Sequence, residues 1–85
     1  MSVIQLYKEY PDTYKREILG TLTENQLDFL VENLEEDFEE DEEYYLIPDT
    51  LDFLKEQGAD SDLIAMLEKA LAGSQDGIDI FYLVK

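Results

Sequence analysis

The stretch TENQLDFLVENLEEDFEEDEE, residues 23 to 43, combines a helix start signal, an apolar stripe and an acidic run. Thr23 is followed three residues later by Gln26, which is the spacing of a capping box. In that motif the Thr hydroxyl accepts the Gln amide, and the Gln side chain reaches back to the Thr backbone. The spacing therefore predicts a helix that begins at Glu24. Its apolar residues recur at helical intervals on one face, namely Leu27, Leu30, Val31, Leu34 and Phe38.

The same stretch ends in an acidic run, in which eight of the nine residues from Glu35 to Glu43 are Asp or Glu. Like charges four residues apart destabilise a helix by roughly 0.2 to 0.5 kcal/mol per pair, and no Lys or Arg offsets them here. Carboxylates are also unfavourable at a helix C-terminus, where the macrodipole is negative. We therefore expect an acidic helix over residues 24 to 40 that frays between Phe38 and Glu42.

The net charge of the chain is −16, from 22 acids and 6 bases, and it is unevenly distributed. No Lys or Arg stands between Arg16 and Lys55, whereas residues 17 to 54 carry fourteen acids. A field of that sign repels nucleic-acid phosphates and anionic lipid headgroups, and it attracts basic protein surfaces. We therefore expect a basic protein partner, no direct nucleic-acid binding and no membrane binding.

Length and composition predict a single small acidic domain over residues 1 to 85. With 45% hydrophobic residues the chain can form one core, although a domain of this size buries a limited surface. The absence of Cys excludes disulfides and thiolate metal sites. No stretch of 18 apolar residues exists, and the N-terminus lacks a basic segment followed by an apolar run. We expect a soluble, cytoplasmic protein.

Residues 2 to 20 are interpreted as a small helical hairpin. The first helix is expected to end by Tyr10, because Pro11 pushes the residue before it out of the α region. The second is expected to end at Gly20, in the C′ position. This segment carries three of the six cations, so it is nearly neutral and could lie against the acidic block.

The second half of the chain predicts two further helices. Asp49 is expected to cap the first, with Gly58 at C′, and Asp60 or Ser61 the second, with Gly73 at C′. Residues 44 to 47 and 78 to 84 are rich in aromatic and β-branched residues. Residues 44 to 47 and 79 to 83 are predicted to pair as a two-stranded β ribbon covered by the helices; the alternative is that residues 78 to 84 dock as an irregular apolar tail. The predicted fold is therefore mainly α, with about four helices and a C-terminal ribbon.

The residue types present offer little to catalysis. There is no His and no Cys, which removes the commonest general base, the nitrogen metal ligand and the best nucleophile. The glycines are isolated, so no phosphate-binding loop is formed. The acidic run lacks the alternating ligands and internal Gly of a calcium loop, and it predicts weak cation screening rather than a defined metal site. We expect a protein that is not an enzyme and binds no cofactor.

The resulting hypothesis is an interaction or regulatory module that docks on a basic partner surface. Glutamates and one aspartate of the acidic helix and run would supply long-range attraction, and two tyrosines would supply contact area. These candidate partner-binding residues are Glu32, Glu35, Glu36, Glu39, Glu40, Asp41, Glu42, Glu43, Tyr44 and Tyr45.

Three alternatives remain open at this point. A nucleic-acid mimic would place these carboxylates at the spacing of phosphates and inhibit a DNA- or RNA-binding protein. A divalent-cation binder would use the same carboxylates as weak oxygen ligands. A third hypothesis is that the charge serves solubility alone, and that the function lies elsewhere or in self-association through the apolar ribbon.

Overall fold

The computed structural model describes residues 3–10, 12–34, 38–40, 42–73 and 76–85, which form a four-stranded antiparallel sheet and three helices. The strands are β1 (Ile4–Glu9), β2 (Arg16–Leu22), β3 (Tyr44–Leu46) and β4 (Ile78–Val84). The helices are α1 (Glu24–Asn33), α2 (Pro48–Glu56) and α3 (Ser61–Leu71). The strand order is β2-β1-β4-β3. The fold is therefore α+β, and the prediction of a mainly helical domain with about four helices is wrong.

The helical hairpin predicted for residues 2 to 20 is wrong, because the described residues of this segment form the antiparallel pair β1–β2. In β1, Ile4 and Leu6 are buried in the core, whereas Gln5 and Tyr7 are half-buried on the opposite side of the strand. This period of two is the pattern of a strand. In a segment this short, too few residues are present to distinguish a helical period of 3.6 from a strand period of two.

Gly20 is a strand residue and not the end of a helix. It lies in β2, where an added Cβ atom would stand 2.6 Å from Sδ of Met66 in α3. The missing side chain therefore allows α3 to pack closely on the sheet. The glycines after the other two helices do have the predicted C′ role: Gly58 and Gly73 have φ of +92° and +80°, just beyond the ends of α2 and α3.

A β-bulge interrupts the pairing of β2 with β1. Tyr7 lies opposite Ile18, and the residue before Tyr7 lies opposite Gly20, which leaves Leu19 as the extra residue. An extra residue reverses the alternation of side chains along the rest of the strand. Beyond the bulge, Ile18 and Arg16 therefore point away from the helices.

The start of α1 confirms the prediction. Gln26 N donates to Thr23 Oγ1 at 3.1 Å, and Thr23 N donates to Gln26 Oε1 at 2.8 Å, so both halves of the capping box are present. The side chain of Gln26 also donates to both carboxylate oxygens of Asp60, at 3.2 and 3.1 Å. Asp60 Oδ1 in turn accepts a hydrogen bond from Leu63 N at 2.8 Å, so Asp60 caps α3, as predicted. This pair therefore ties the N-termini of the two helices together.

The end of α1 differs from the prediction of an acidic helix over residues 24 to 40. The helix ends at Asn33, with Leu34 as its C-cap, and no basic residue occupies its last turn. The acidic run that follows would add like charges to the negative end of the macrodipole, which explains the early end. Residues 35 to 37 and 41 lie outside the described residues.

Phe38 is buried without belonging to the helix. It is 1% exposed, and its ring lies 4.9 Å from that of Tyr82 and 6.3 Å from that of Tyr44, edge-on to the latter. The apolar stripe of α1 therefore includes Leu30 and Leu34, both buried, whereas Phe38 reaches the same core from the segment after the helix.

The second half of the chain follows the prediction more closely. Asp49 does not cap α2: the helix begins at Pro48, with Ile47 as the N-cap, and Asp49 lies in the first turn. The predicted pairing of the two extended segments is confirmed, since β3 pairs with β4. The ribbon is not two-stranded, however, because β1 pairs with the other side of β4.

Candidate interaction surface

The sheet has one face packed against the helices and one that no described helix covers. The core between sheet and helices contains Leu6, Leu22, Leu46, Ile78 and Ile80, together with apolar residues of all three helices. The alternate residues of the strands point the other way and do not belong to that buried core. We call this side the open face, and it carries Gln5, Tyr7, Glu9, Arg16, Ile18, Tyr45, Asp79, Phe81 and Leu83.

At the centre of the open face an arginine lies over an aromatic ring. Phe81 and Tyr7 are stacked, with ring centroids 5.1 Å apart and planes 8° from parallel. The guanidinium carbon of Arg16 lies 4.5 Å from the centroid of Phe81, and Arg16 Nε is 3.1 Å from Glu9 Oε1. Phe81 is 1% exposed as a result. This is a guanidinium held by one aromatic ring and one carboxylate, which is the environment that arginine prefers.

Glu9, which forms the ion pair with Arg16, also lies close to two further carboxyl groups, those of Asp79 and Glu43. Glu9 and Asp79 lie directly opposite each other in β1 and β4. A hydrogen bond shared with Glu43, and then the guanidinium of Arg16, hold the pKa of Glu9 below its ordinary value. The same hydrogen bond, followed by burial, raises the pKa of Glu43, and burial followed by the charge of Glu9 raises that of Asp79. Among the described residues, Glu9 is the one of these three acids that forms an ion pair, with Arg16.

The acidic segment lies beside this face. We use that name for Glu39, Glu40, Glu42 and Glu43, all of which are exposed. Glu40 Oε2 accepts Val84 N at 3.1 Å, so the segment runs along β4 beyond the end of β3. Burial, followed by the charges of Glu40 and Glu39, raises the pKa of Tyr82. Glu39 and Glu40 therefore stand at the edge of the sheet, whereas Glu43 reaches Glu9 on the open face.

The structure brings together some of the acids predicted to bind a partner and leaves one apart. The four glutamates of the acidic segment share one stretch, whereas Glu32 is exposed on α1, a separate element. Glu35, Glu36 and Asp41 lie outside the described residues. The helix predicted to extend to residue 40 is wrong for Glu39 and Glu40, which are not helical. Glu42 and Glu43 were expected to follow the helix, and they lie outside it.

The two predicted tyrosines have different surroundings. Tyr44 is half-buried, and its ring meets Phe38 edge-on, so it contributes to packing. Tyr45 points to the open face and is 54% exposed. Tyr45 is therefore the one of the two whose ring is largely exposed.

Four residues of this surface were not identified from the sequence, namely Glu9, Arg16, Asp79 and Phe81. Each lies on a strand, and two of the strands were interpreted as helices. The signal that could have found them is the alternation within IQLYKE at residues 4 to 9 and IDIFYLV at 78 to 84, because alternate residues of paired strands share a face.

The described part of the chain contains no group of three or more His, Cys, Asp or Glu side chains that could hold a metal ion. Within that part, no helix combines the length and the apolar character needed to cross a membrane. No known protein family, curated protein or solved structure matches this chain.

Glu43→Gln is expected to raise the free energy of unfolding at pH 7. The Gln amide donates to Glu9 at any pH, whereas Glu43 must be protonated to do so. Because its pKa is raised in the folded state, the stability that Glu43 contributes is present below its ordinary value of 4.5 and is lost as the pH rises through the folded value. The advantage of the variant should therefore shrink as the pH falls toward 4.5.

Urea unfolding at a series of pH values, followed by circular dichroism, measures this difference. Glu42→Gln is the control, because it removes the same charge from an exposed neighbour. Equal pH profiles for the two variants would show that the shared hydrogen bond does not contribute.

Proposed function

We propose that this protein is a non-enzymatic interaction module that docks on a basic protein surface through the acidic segment and the adjoining open face. The observation that supports the proposal is the placement of charge. The four exposed glutamates of the acidic segment lie beside β4 and the adjoining open face. They belong to a block, residues 17 to 54, that contains fourteen acids and no cation. A concentrated field of one sign steers a partner of the opposite sign.

The two parts of the surface have different roles in this proposal. The acidic segment attracts the partner over a distance, which raises the association rate and makes it sensitive to salt. Tyr45, with its half-exposed ring, supplies area at close contact. The sequence-based expectations of a cytoplasmic location and of no direct binding to nucleic acid or membranes belong to the same proposal.

The test compares two variants with equal net charge. The first replaces the acidic segment, with Glu39, Glu40, Glu42 and Glu43 changed to Gln. The control changes four exposed acids on the helices: Asp28→Asn, Asp52→Asn, Glu56→Gln and Glu68→Gln. Capture from the lysate of the source organism, washed at low and at high salt, identifies a partner. The first variant is expected to bind that partner about tenfold more weakly, and the control to bind as the unchanged protein does.

An equal loss of partner binding in both variants would show that binding depends on net charge alone. Equal retention of the partner would show that the acidic segment does not contribute to binding. Either result contradicts the proposal. Urea unfolding of both variants separates loss of binding from loss of folding, since Glu40 and Glu43 also accept or share hydrogen bonds. A captured partner that binds DNA or RNA would favour the mimic over a general docking module.

A further inference from the structure

The open face repeats the chemistry of its arginine site without a second cation. Asp79 lies directly opposite Tyr45 in β3 and directly opposite Glu9 in β1. Glu43 precedes Tyr45 by two residues, shares a hydrogen bond with Glu9 and repels Asp79. Two carboxyl groups and a half-exposed ring therefore lie on the side of Glu9 that faces away from Arg16. Among the described residues, no Lys or Arg forms an ion pair with either carboxylate.

We propose that the open face binds an arginine side chain of the basic partner, with the guanidinium between the carboxylates of Asp79 and Glu43 and against the ring of Tyr45. The inference rests on the proposed function and specifies its contact residues. The site would reproduce the arrangement that Arg16 already has with Glu9 and Phe81 on the same face.

Charge complementarity determines the occupant. A second copy of this chain would bring another −16 charge against the same face, and a nucleic acid would bring phosphates, so both are repelled. A basic protein segment is attracted by the acidic segment beside the open face and neutralises the carboxylates on the face.

The surface favours arginine over lysine for a geometric reason. A guanidinium is planar, stacks on aromatic faces and donates to two carboxylates at once, whereas an ammonium is a more strongly hydrated point charge. Burial is the main cause that raises the pKa of Asp79, and the hydrogen bond with Glu9 is the main cause for Glu43, with repulsion between Glu43 and Asp79 as a smaller contribution. A cation placed between them would relieve this repulsion.

The probes are acetylated, fluorescent hexaarginine and hexalysine amides, which have equal length and formal charge. Fluorescence anisotropy at low salt is expected to show hexaarginine binding about tenfold more tightly than hexalysine. Asp79→Asn and Tyr45→Leu should each reduce that preference at least threefold. Asp52→Asn and Phe53→Leu, at exposed positions of α2, are the matched controls and should leave it unchanged. Backbone amide shifts in the NMR spectrum should concentrate at residues 43–45 and 79–81 when hexaarginine binds.

Equal affinity for the two peptides, or a preference that survives Asp79→Asn and Tyr45→Leu, would overturn the arginine site. The proposed function would still stand if the acidic-segment variant lost its partner. Conversely, retention of the partner by that variant would contradict the proposed function, whatever the peptides show. A concentration-dependent dimer that protects the amides of the open face from exchange would assign this face to a second copy and would also overturn the inference.

Discussion

Replacing Phe38 with alanine is expected to lower the free energy of unfolding by about 3–5 kcal/mol, the usual cost of removing a buried aromatic ring. Phe38 is 1% exposed and packs against Tyr82 and Tyr44, so its removal leaves a cavity at the end of the core nearest the acidic segment. Native domains have a total free energy of unfolding of about 5–15 kcal/mol, so this loss is a large fraction of the total and should lower the melting temperature strongly.

Thermal unfolding followed by circular dichroism measures this effect, because each kcal/mol lowers Tm by about 4–8 °C in a domain of this size. Phe53→Ala is the matched control: it removes the same ring from a position on α2 that is 43% exposed, and the loss should be much smaller. Phe38→Leu keeps most of the apolar volume and should fall between the two. A Phe38→Ala variant as stable as Phe53→Ala would show that Phe38 is not packed as described.

Gly77→Ala is expected to have the second largest effect and to lower the free energy of unfolding by about 3 kcal/mol. Backbone strain contributes about 1–3 kcal/mol of this. Gly77 precedes β4 with φ of +143°, a conformation that L-residues rarely adopt. A Cβ atom there would lie 2.8 Å from the backbone oxygen of Leu46 and 2.7 Å from Cζ of Tyr45. Tyr45 can rotate away, but the Leu46 carbonyl is held by the pairing of β3 with β4.

Gly58→Ala separates the two contributions to that loss. Gly58 has φ of +92°, but no atom lies within 4 Å of the position that a Cβ would take. Its substitution should cost about 1 kcal/mol, from backbone strain alone. Urea unfolding of the two variants gives the comparison. Equal decreases in the free energy of unfolding would mean that β3 shifts to accommodate the Cβ atom and that the contact with the Leu46 oxygen does not destabilise the variant.

The elements that could be predicted from the sequence are those with local signals. The capping box at Thr23 and Gln26 involves residues three apart, and the glycines after α2 and α3 mark helix ends through their own backbone conformation. Both kinds of signal act within one turn of chain. They therefore remain visible when nothing is known of the rest of the fold.

The β1–β2 hairpin could not be predicted because the sequence between its strands lacks the residue pairs that mark two-residue hairpin turns. No Asn-Gly or Asp-Gly pair joins the strands. Tyr10 N donates to Lys15 O at 2.8 Å, and Tyr14 takes a φ of +55°, which is uncommon for an aromatic residue. The bulge at Leu19 further hides the alternation of β2.

The open face could not be predicted for a different reason. Phe81 meets Tyr7 and Arg16 only because β4 pairs with β1, and this pairing is not encoded by any local spacing. The acidic segment, by contrast, was identified as a run of charge along the chain. Its position beside β4 became apparent from the bond between Glu40 and Val84 N.

The strand order β2-β1-β4-β3 has a consequence for how the molecule folds. The two central strands pair residues near opposite ends of the chain, such as Tyr7 with Phe81. The entropy of closing that long loop is lost before the contacts of the central pair can compensate for it. Domains rich in such distant contacts fold more slowly than helical domains of similar stability, because their contact order is higher. The local β1–β2 hairpin and the helices can form early, but the sheet is completed only when the two ends of the chain meet.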